Sequence, residues 1–239
     1  MRASCFILLA CCAGRSEPLP PLDPPGPRMS EVVATWDGAP VTRGDVVQTA
    51  LEIDFPNLLR RHLMRRLIEA KRRELGIENS PDELSKFALA WTREFKTRQP
   101  ADFEQALKDS KKTEVEFACA YAKEPALAAR LANEKIVAYA LLTQDALQVD
   151  AGPRVWVVRG MLQGRFGKQV EEEAFRSEEG ATVGPVHIVR KTRGSPRSYK
   201  EAAADVLARI LLAPLDDATV ESYFEWLLSR ADIRILKPK

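Results

Sequence analysis

Residues able to do chemistry are few in this chain, and their spacing rules most of them out. Of four cysteines, Cys5, Cys11 and Cys12 fall in the first 12 residues, which leaves Cys119 alone in the body. A single thiol forms no internal disulfide, and without a Cys-x-x-Cys or a Cys/His cluster a structural zinc site has no ligand set. Cys119, inside Val115–Tyr121, reads as a small buried packing residue on a helix. There are two histidines. His62 lies among Arg60, Arg61, Arg65, Arg66, Lys71, Arg72 and Arg73 with no partner motif. His187 lies on an expected strand, Val186–Arg190, with no acidic or cysteine partner evident. No metal and no cofactor is expected.

The basic run 60–73 could hold phosphates, or it is the solvated face of a helix. The whole chain has 36 basic and 34 acidic residues, a formal net charge of +2, so it carries no strong field for nucleic acid. A nucleic-acid partner is therefore not expected, and a cytosolic nucleic-acid binder using 60–73 is the weaker alternative. With 45% hydrophobic and 29% charged residues the composition is that of a globular protein.

Helical periodicity dominates the first half. A strand over Glu31–Trp36 and a turn at Asp37-Gly38 precede Thr42, which has Asp45 in capping-box spacing. Pro56 punctuates the helix that follows, and Leu59, Leu63, Leu67 and Ala70 form one face up to Gly76. Ser80-Pro81-Asp82-Glu83 opens a helix to about Thr97. Further helices are expected over Asp102–Asp109, Thr113–Lys123 and from Pro125 to about Leu147. Strands are expected at Arg154–Arg159, Val186–Arg190 and Ile233–Leu236, with helices at Val170–Arg176, Ser198–Leu212 and Asp216–Arg230. The fold class is α+β, mainly α.

The N-terminus has one Arg before the apolar run Cys5–Ala10, too short to span a bilayer. It has the form of a short export signal. Leu8-Leu9-Ala10-Cys11 resembles the lipobox of bacterial lipoproteins, which implies cleavage before Cys11 and a lipid on its thiol. A plain secretory signal and a start at Met29 are the alternatives. Pro18, Pro20, Pro21, Pro24, Pro25 and Pro27 then forbid helix or central strand, so residues 11–30 read as an extended tether.

The order of pieces in the body resembles the SurA/PrsA/PpiD group of bacterial envelope foldases. Val32-Val33-Ala34-Thr35-Trp36-Asp37-Gly38, then Val41-Thr42 and Asp45, is similar to the opening of their chaperone domain. Leu58 to Leu75-Gly76-Ile77, Asp82-Glu83-Leu84 and Phe103 to Leu107 follow in the family's order. Phe166–Phe175 and Gly180–Val186 resemble the end of a parvulin (PpiC-type) prolyl isomerase domain, and His187-Ile188-Val189 resembles its last strand. The departures are large. Arg154–Arg159 has no His, and the helical middle of a parvulin is missing.

With a signal at 1–10 and a tether at 11–30, the resemblance implies a SurA N-terminal-like helical chaperone domain at 31–148 and a truncated parvulin-like insert at 149–197. Residues 198–239 would return to complete the chaperone domain, bringing Val32–Trp36 near Ile233–Leu236. It also implies a proline cup of Val170, Phe175 and Ile188 with His187 at its floor. Isomerisation needs an apolar cup that desolvates the amide while the bond twists. With half the cup's walls missing, the expected function is an envelope folding factor. It would bind unfolded or proline-containing segments of envelope proteins, anchored through Cys11 at the periplasmic face, with little or no isomerase activity. An active parvulin-type isomerase is the alternative, and whether the chain is an enzyme stays open.

Overall fold

The computed structural model describes residues 28–36 and 39–231. The expected signal, Cys11, nearly all of the tether, the Asp37-Gly38 turn and the expected Ile233–Leu236 strand lie outside them. The chain divides into two compact units, 1–58 and 59–239.

In the first unit, β1 (Val32–Trp36) and β2 (Ala39–Thr42) pair antiparallel. Helix α1 (Arg43–Leu75) starts there. Thr42 and Asp45 exchange the expected capping bonds, with Thr42 N–H and Oγ1 donating to Asp45 Oδ2 at 2.8 and 2.7 Å. Those bonds hold the Asp45 carboxyl below its ordinary pKa. The helix is interrupted at Asp54 (φ −141°, ψ 32°), two residues before Pro56. Pro56 has no N–H to donate and crowds the carbonyl four residues earlier, which is the expected punctuation.

In the second unit, α2 (Pro81–Arg98), α3 (Pro100–Ser110) and α4 (Glu114–Tyr121) follow as short-looped helices. Ser80 and Thr113 form full capping boxes with Glu83 and Glu116. Helix α5 (Pro125–Thr143) is the axis of the unit, buried over most of its length. Next come β3 (Ala146–Asp150), β4 (Arg154–Val158), α6 (Gln163–Phe166), α7 (Lys168–Arg176), β5 (Thr182–Val183) and β6 (Val186–Thr192). Helices α8 (Tyr199–Leu212) and α9 (Asp217–Ser229) end the described chain. The protein is thus α+β and mainly helical, as the sequence implies.

The expected long helix does not reach Leu147. It stops at Thr143, Gln144 turns extended, and Ala146–Asp150 forms an inner strand of the sheet β4-β3-β6-β5, antiparallel throughout. The run Leu147-Gln148-Val149-Asp150 alternates apolar and polar residues, but four residues directly after an apolar helix read as that helix's end. One face carries Leu147, Val149, Val155, Val157, Val183, Val186 and Ile188, packed with Leu162, Ala174 and Phe175. At the opposite face, Ala146 and Val158 join the main core with α5, α8 and α9. Gly160 (φ +96°) turns the chain out of β4 where a Cβ would lie 3.2 Å from the Trp226 ring. The Glu171 carboxylate ties that turn by accepting N–H bonds from Gly160, Leu162 and Gln163 at 2.8–3.2 Å.

Two charged side chains on α5 are buried. Lys135 is 1% exposed and donates to the Glu78 carbonyl at 2.7 Å, with the Glu83 carboxylate 3.2 Å away. This fastens α5 to the start of α2. Burial, opposed by Glu83, pulls the Lys135 pKa down. Cys119 corrects the sequence reading: it is exposed on α4, because Ala118 is the residue that α4 turns inward.

Candidate functional site

Strand β6 places His187 and Ile188 on opposite faces of the sheet, since successive side chains of a strand alternate. Ile188 (0% exposed) and Phe175 (7%) belong to the closed apolar cluster, with Val170 packed at its margin. The Arg159 guanidinium covers the Phe175 ring, 4.4 Å from its centroid. His187 is exposed on the other face, its Nδ1 3.1 Å from Thr182 Oγ1. Strand register sets Arg154, Asp150, His187 and Thr182 in one row across four strands. The structure therefore gathers Val170, Phe175 and Ile188 together but leaves His187 apart from them. A ring held by the first three would not meet the imidazole.

A different place is open and apolar. A cavity of about 280 Å³ lies between α2 and α4, lined by Trp91, Thr92, Phe95, Gln99, Phe117 and Tyr121. The spacing explains it: Trp91 and Phe95 are one turn apart on α2, as are Phe117 and Tyr121 on α4. Phe103 of α3, 1% exposed, backs the cage. Its ring stands edge-on to Phe95 (5.6 Å, 87°) and to Phe117 (6.0 Å, 85°). Phe117 and Tyr121 lie nearly parallel, 6.3 Å apart. Edge-to-face and offset contacts of this kind fix ring orientation beyond simple area burial. Thr92 is 2% exposed and its Oγ1 has no partner among the described residues. The i, i+4 aromatic pairs stand in the sequence on helices expected there, but spacing alone does not separate a cavity wall from core.

Trp91 is held from α5. The Arg130 guanidinium stacks 3.9 Å from its ring centroid. Arg130 Nε donates to Glu134 Oε1 at 2.9 Å, Nη2 donates to the Leu215 carbonyl at 3.1 Å, and Arg130 also pairs with Asp217. Glu134, fully buried, accepts the Leu215 N–H on Oε2 at 2.9 Å. Burial pushes the Glu134 pKa up to about 7, against the pull of the Leu215 N–H and Arg130. Nothing in the sequence pattern marked Glu134 or Arg130, because their meaning depends on Leu215, just before α9, arriving from 81 residues beyond Glu134.

The basic run 60–73 is partly neutralised, with ion pairs at four of its seven basic residues. Arg60 pairs with Glu225, Lys71 with Glu74, and Arg72 and Arg73 with Glu69. His62 is exposed. Among the described residues, no three His, Cys, Asp or Glu side chains converge on a metal position, and no helix is long and apolar enough to cross a membrane.

No family model matches the chain, and no curated protein matches it. Among solved structures, the crystal structure of PrsA from Bacillus subtilis aligns over 87% of this chain and 96% of that one, at 16% identity and a TM-score of 0.34. A superposition of that quality assigns no role to any residue here.

Proposed function

We propose that this protein is a chaperone-like binding factor that holds unfolded or proline-containing protein segments without turning them over. The observation that carries this reading is the open aromatic cavity between α2 and α4. Its 280 Å³ falls just below the roughly 300–1,000 Å³ of pockets that enclose drug-sized ligands. It suits one or two side chains rather than a cofactor. Rings on several sides offer flat apolar contact without directional demands, which favours wide sequence tolerance. A prolyl ring on a polyproline-type segment is a fitting occupant: it packs flat on aromatic faces and the segment loses little entropy on docking. The separation of His187 from Val170, Phe175 and Ile188 supports binding over isomerisation.

The N-terminal reading supplies the compartment of this proposal. A lipid at Cys11 and an extended tether over 11–30 would hold the body at the periplasmic face of a bacterial envelope membrane. Incorporation of labelled palmitate, abolished by Cys11→Ala, is the expected outcome for that anchor.

The binding test uses the full chain, a proline-rich peptide and a permanently unfolded client. The parent protein binds the peptide and slows aggregation of the client. Tyr121→Ala, with a melting curve showing that it folds, weakens both. Equal binding by parent and variant would remove the cavity from the function.

A further inference from the structure

A second ligand position lies on the sheet face away from the Ile188 cluster, independent of the aromatic cavity. Register places Gln148 of β3 directly between Trp156 of β4 and Arg190 of β6. Arg209 of α8 reaches down over this row, its guanidinium 5.1 Å from the Trp156 ring centroid. Arg209 is half-buried, and Arg190 is exposed beside it. Among the described residues neither guanidinium has an acidic partner, and the Gln148 side-chain amide makes no hydrogen bond. The acid in the next row of this face, Asp150, faces Arg154 at 3.9 Å. Burial, and then the like charge of Arg190, pull the Arg209 pKa below the usual arginine value.

Two cations repelling each other over a neutral amide, on a partly desolvated surface, form an arrangement that a bound anion would relieve. Guanidinium groups present paired N–H donors that match the oxygens of a carboxylate or a phosphate. The Gln148 amide adds a neutral donor at the floor. The Trp156 ring, 5.1 Å from the Arg209 guanidinium, offers it a cation–π contact that favours this position before any ligand arrives.

We propose that Arg190, Arg209 and Gln148 form an oxyanion-binding site on this sheet face. The shared chemistry is an oxygen anion, carried either as a free phosphate or as the carboxylate of an acidic residue.

The test titrates the full-chain protein with inorganic phosphate and, separately, with N-acetylglutamate, against chloride at matched ionic strength. Calorimetry or arginine side-chain NMR reads the binding. One of the two anions is expected to saturate with a dissociation constant on the order of 1 mM, as a small number of charge-assisted contacts would supply. Saturation by N-acetylglutamate alone assigns the site to acidic protein segments; saturation by phosphate alone assigns it to free phosphate. Arg190→Gln, at an exposed position that leaves the core untouched, should weaken binding about tenfold or more. Arg209→Gln should do the same, and because its loss could disturb Trp156, Arg190→Gln is the deciding variant. No saturation by either anion, or equal affinity in parent and Arg190→Gln, overturns the site. Peptide binding at the aromatic cavity is measured in the same Arg190→Gln protein and stays unchanged, so failure here is separable from failure of the holding function.

Discussion

The aromatic cavity and the His187 row differ in what their elements do with neighbouring side chains. On the sheet, a period of two sends His187 to solvent and Ile188 into a closed core, so polar and apolar groups one residue apart never meet. On α2 and α4, a period near 3.6 stacks rings one turn apart on one side, and two such stripes face each other across a gap. The sheet thus spends its apolar residues on its own stability, whereas the helices leave part of theirs available. The difference teaches that apolar residues resembling part of an enzyme's cup can gather together and still be core.

The contrast is sharpest in stability. Ile188→Ala should cost about 2–5 kcal/mol, as large-to-small changes in packed cores do. Thermal or denaturant unfolding checks this, and the folded fraction should bind peptide as the parent does. A small loss, with weakened peptide binding, would mean that the sheet cluster is the open site after all.

The cavity wall at Trp91 depends on Arg130, which depends on Glu134. The folded protein releases the Glu134 proton near pH 7, while the unfolded chain releases it near 4.5. Between those values the folded state holds more protons, so stability falls as pH rises through that window, by about 3 kcal/mol from this group. It is fully present below pH 4.5 and gone above pH 7. Glu134→Gln should flatten the slope in unfolding experiments from pH 5 to 8.

Tyr121→Ala should weaken peptide binding about tenfold, or about 1.4 kcal/mol, in a fluorescence or calorimetric titration. Its effect on unfolding should be smaller than that of Ile188→Ala, since Tyr121 is only half-buried at the cavity wall. Thr92→Val keeps the shape and removes a buried hydroxyl that has no partner among the described residues. It should raise stability by up to about 1 kcal/mol, the cost of leaving such a group unsatisfied. A loss instead would reveal a partner for that hydroxyl.

The smallest change is expected at His187. His187→Ala should shift stability by less than about 0.5 kcal/mol, as exposed substitutions usually do. A prolyl-peptide isomerisation assay should read the uncatalysed rate in parent and variant alike. Acceleration by the parent, lost in the variant, would break the comparison by showing that the exposed row catalyses without the apolar cluster.

Most helices were legible in the residues because their ends are chemically marked. Ser80, Thr113, Ser198 and Asp216 cap where expected, and Pro56 and Gly76 interrupt or end what precedes them. Strand β3 was not legible: its alternation over 147–150 is only four residues long and follows an apolar helix directly. Cys119 misled because small and apolar is a type, while its exposure is a matter of which way α4 faces. The candidate site was half legible. All six lining residues stood on expected helices or at their ends, yet nothing local said that Trp91 and Phe117 would face each other across a gap.

By itself the sequence determined the helix starts and stops, the mainly helical α+β class and the shortage of nucleophiles, metal ligands and net charge. These are local or compositional properties, set by backbone capping and residue type. Only the tertiary structure decided that Ile188 and Phe175 would close into core while His187 stayed outside. It alone set aromatic pairs from two helices around a cavity, placed Glu134 against Leu215, and brought Arg209 over a strand row it does not adjoin in the chain. Such pairings join residues tens of positions apart, and no local propensity carries information about a partner that only chain folding brings near.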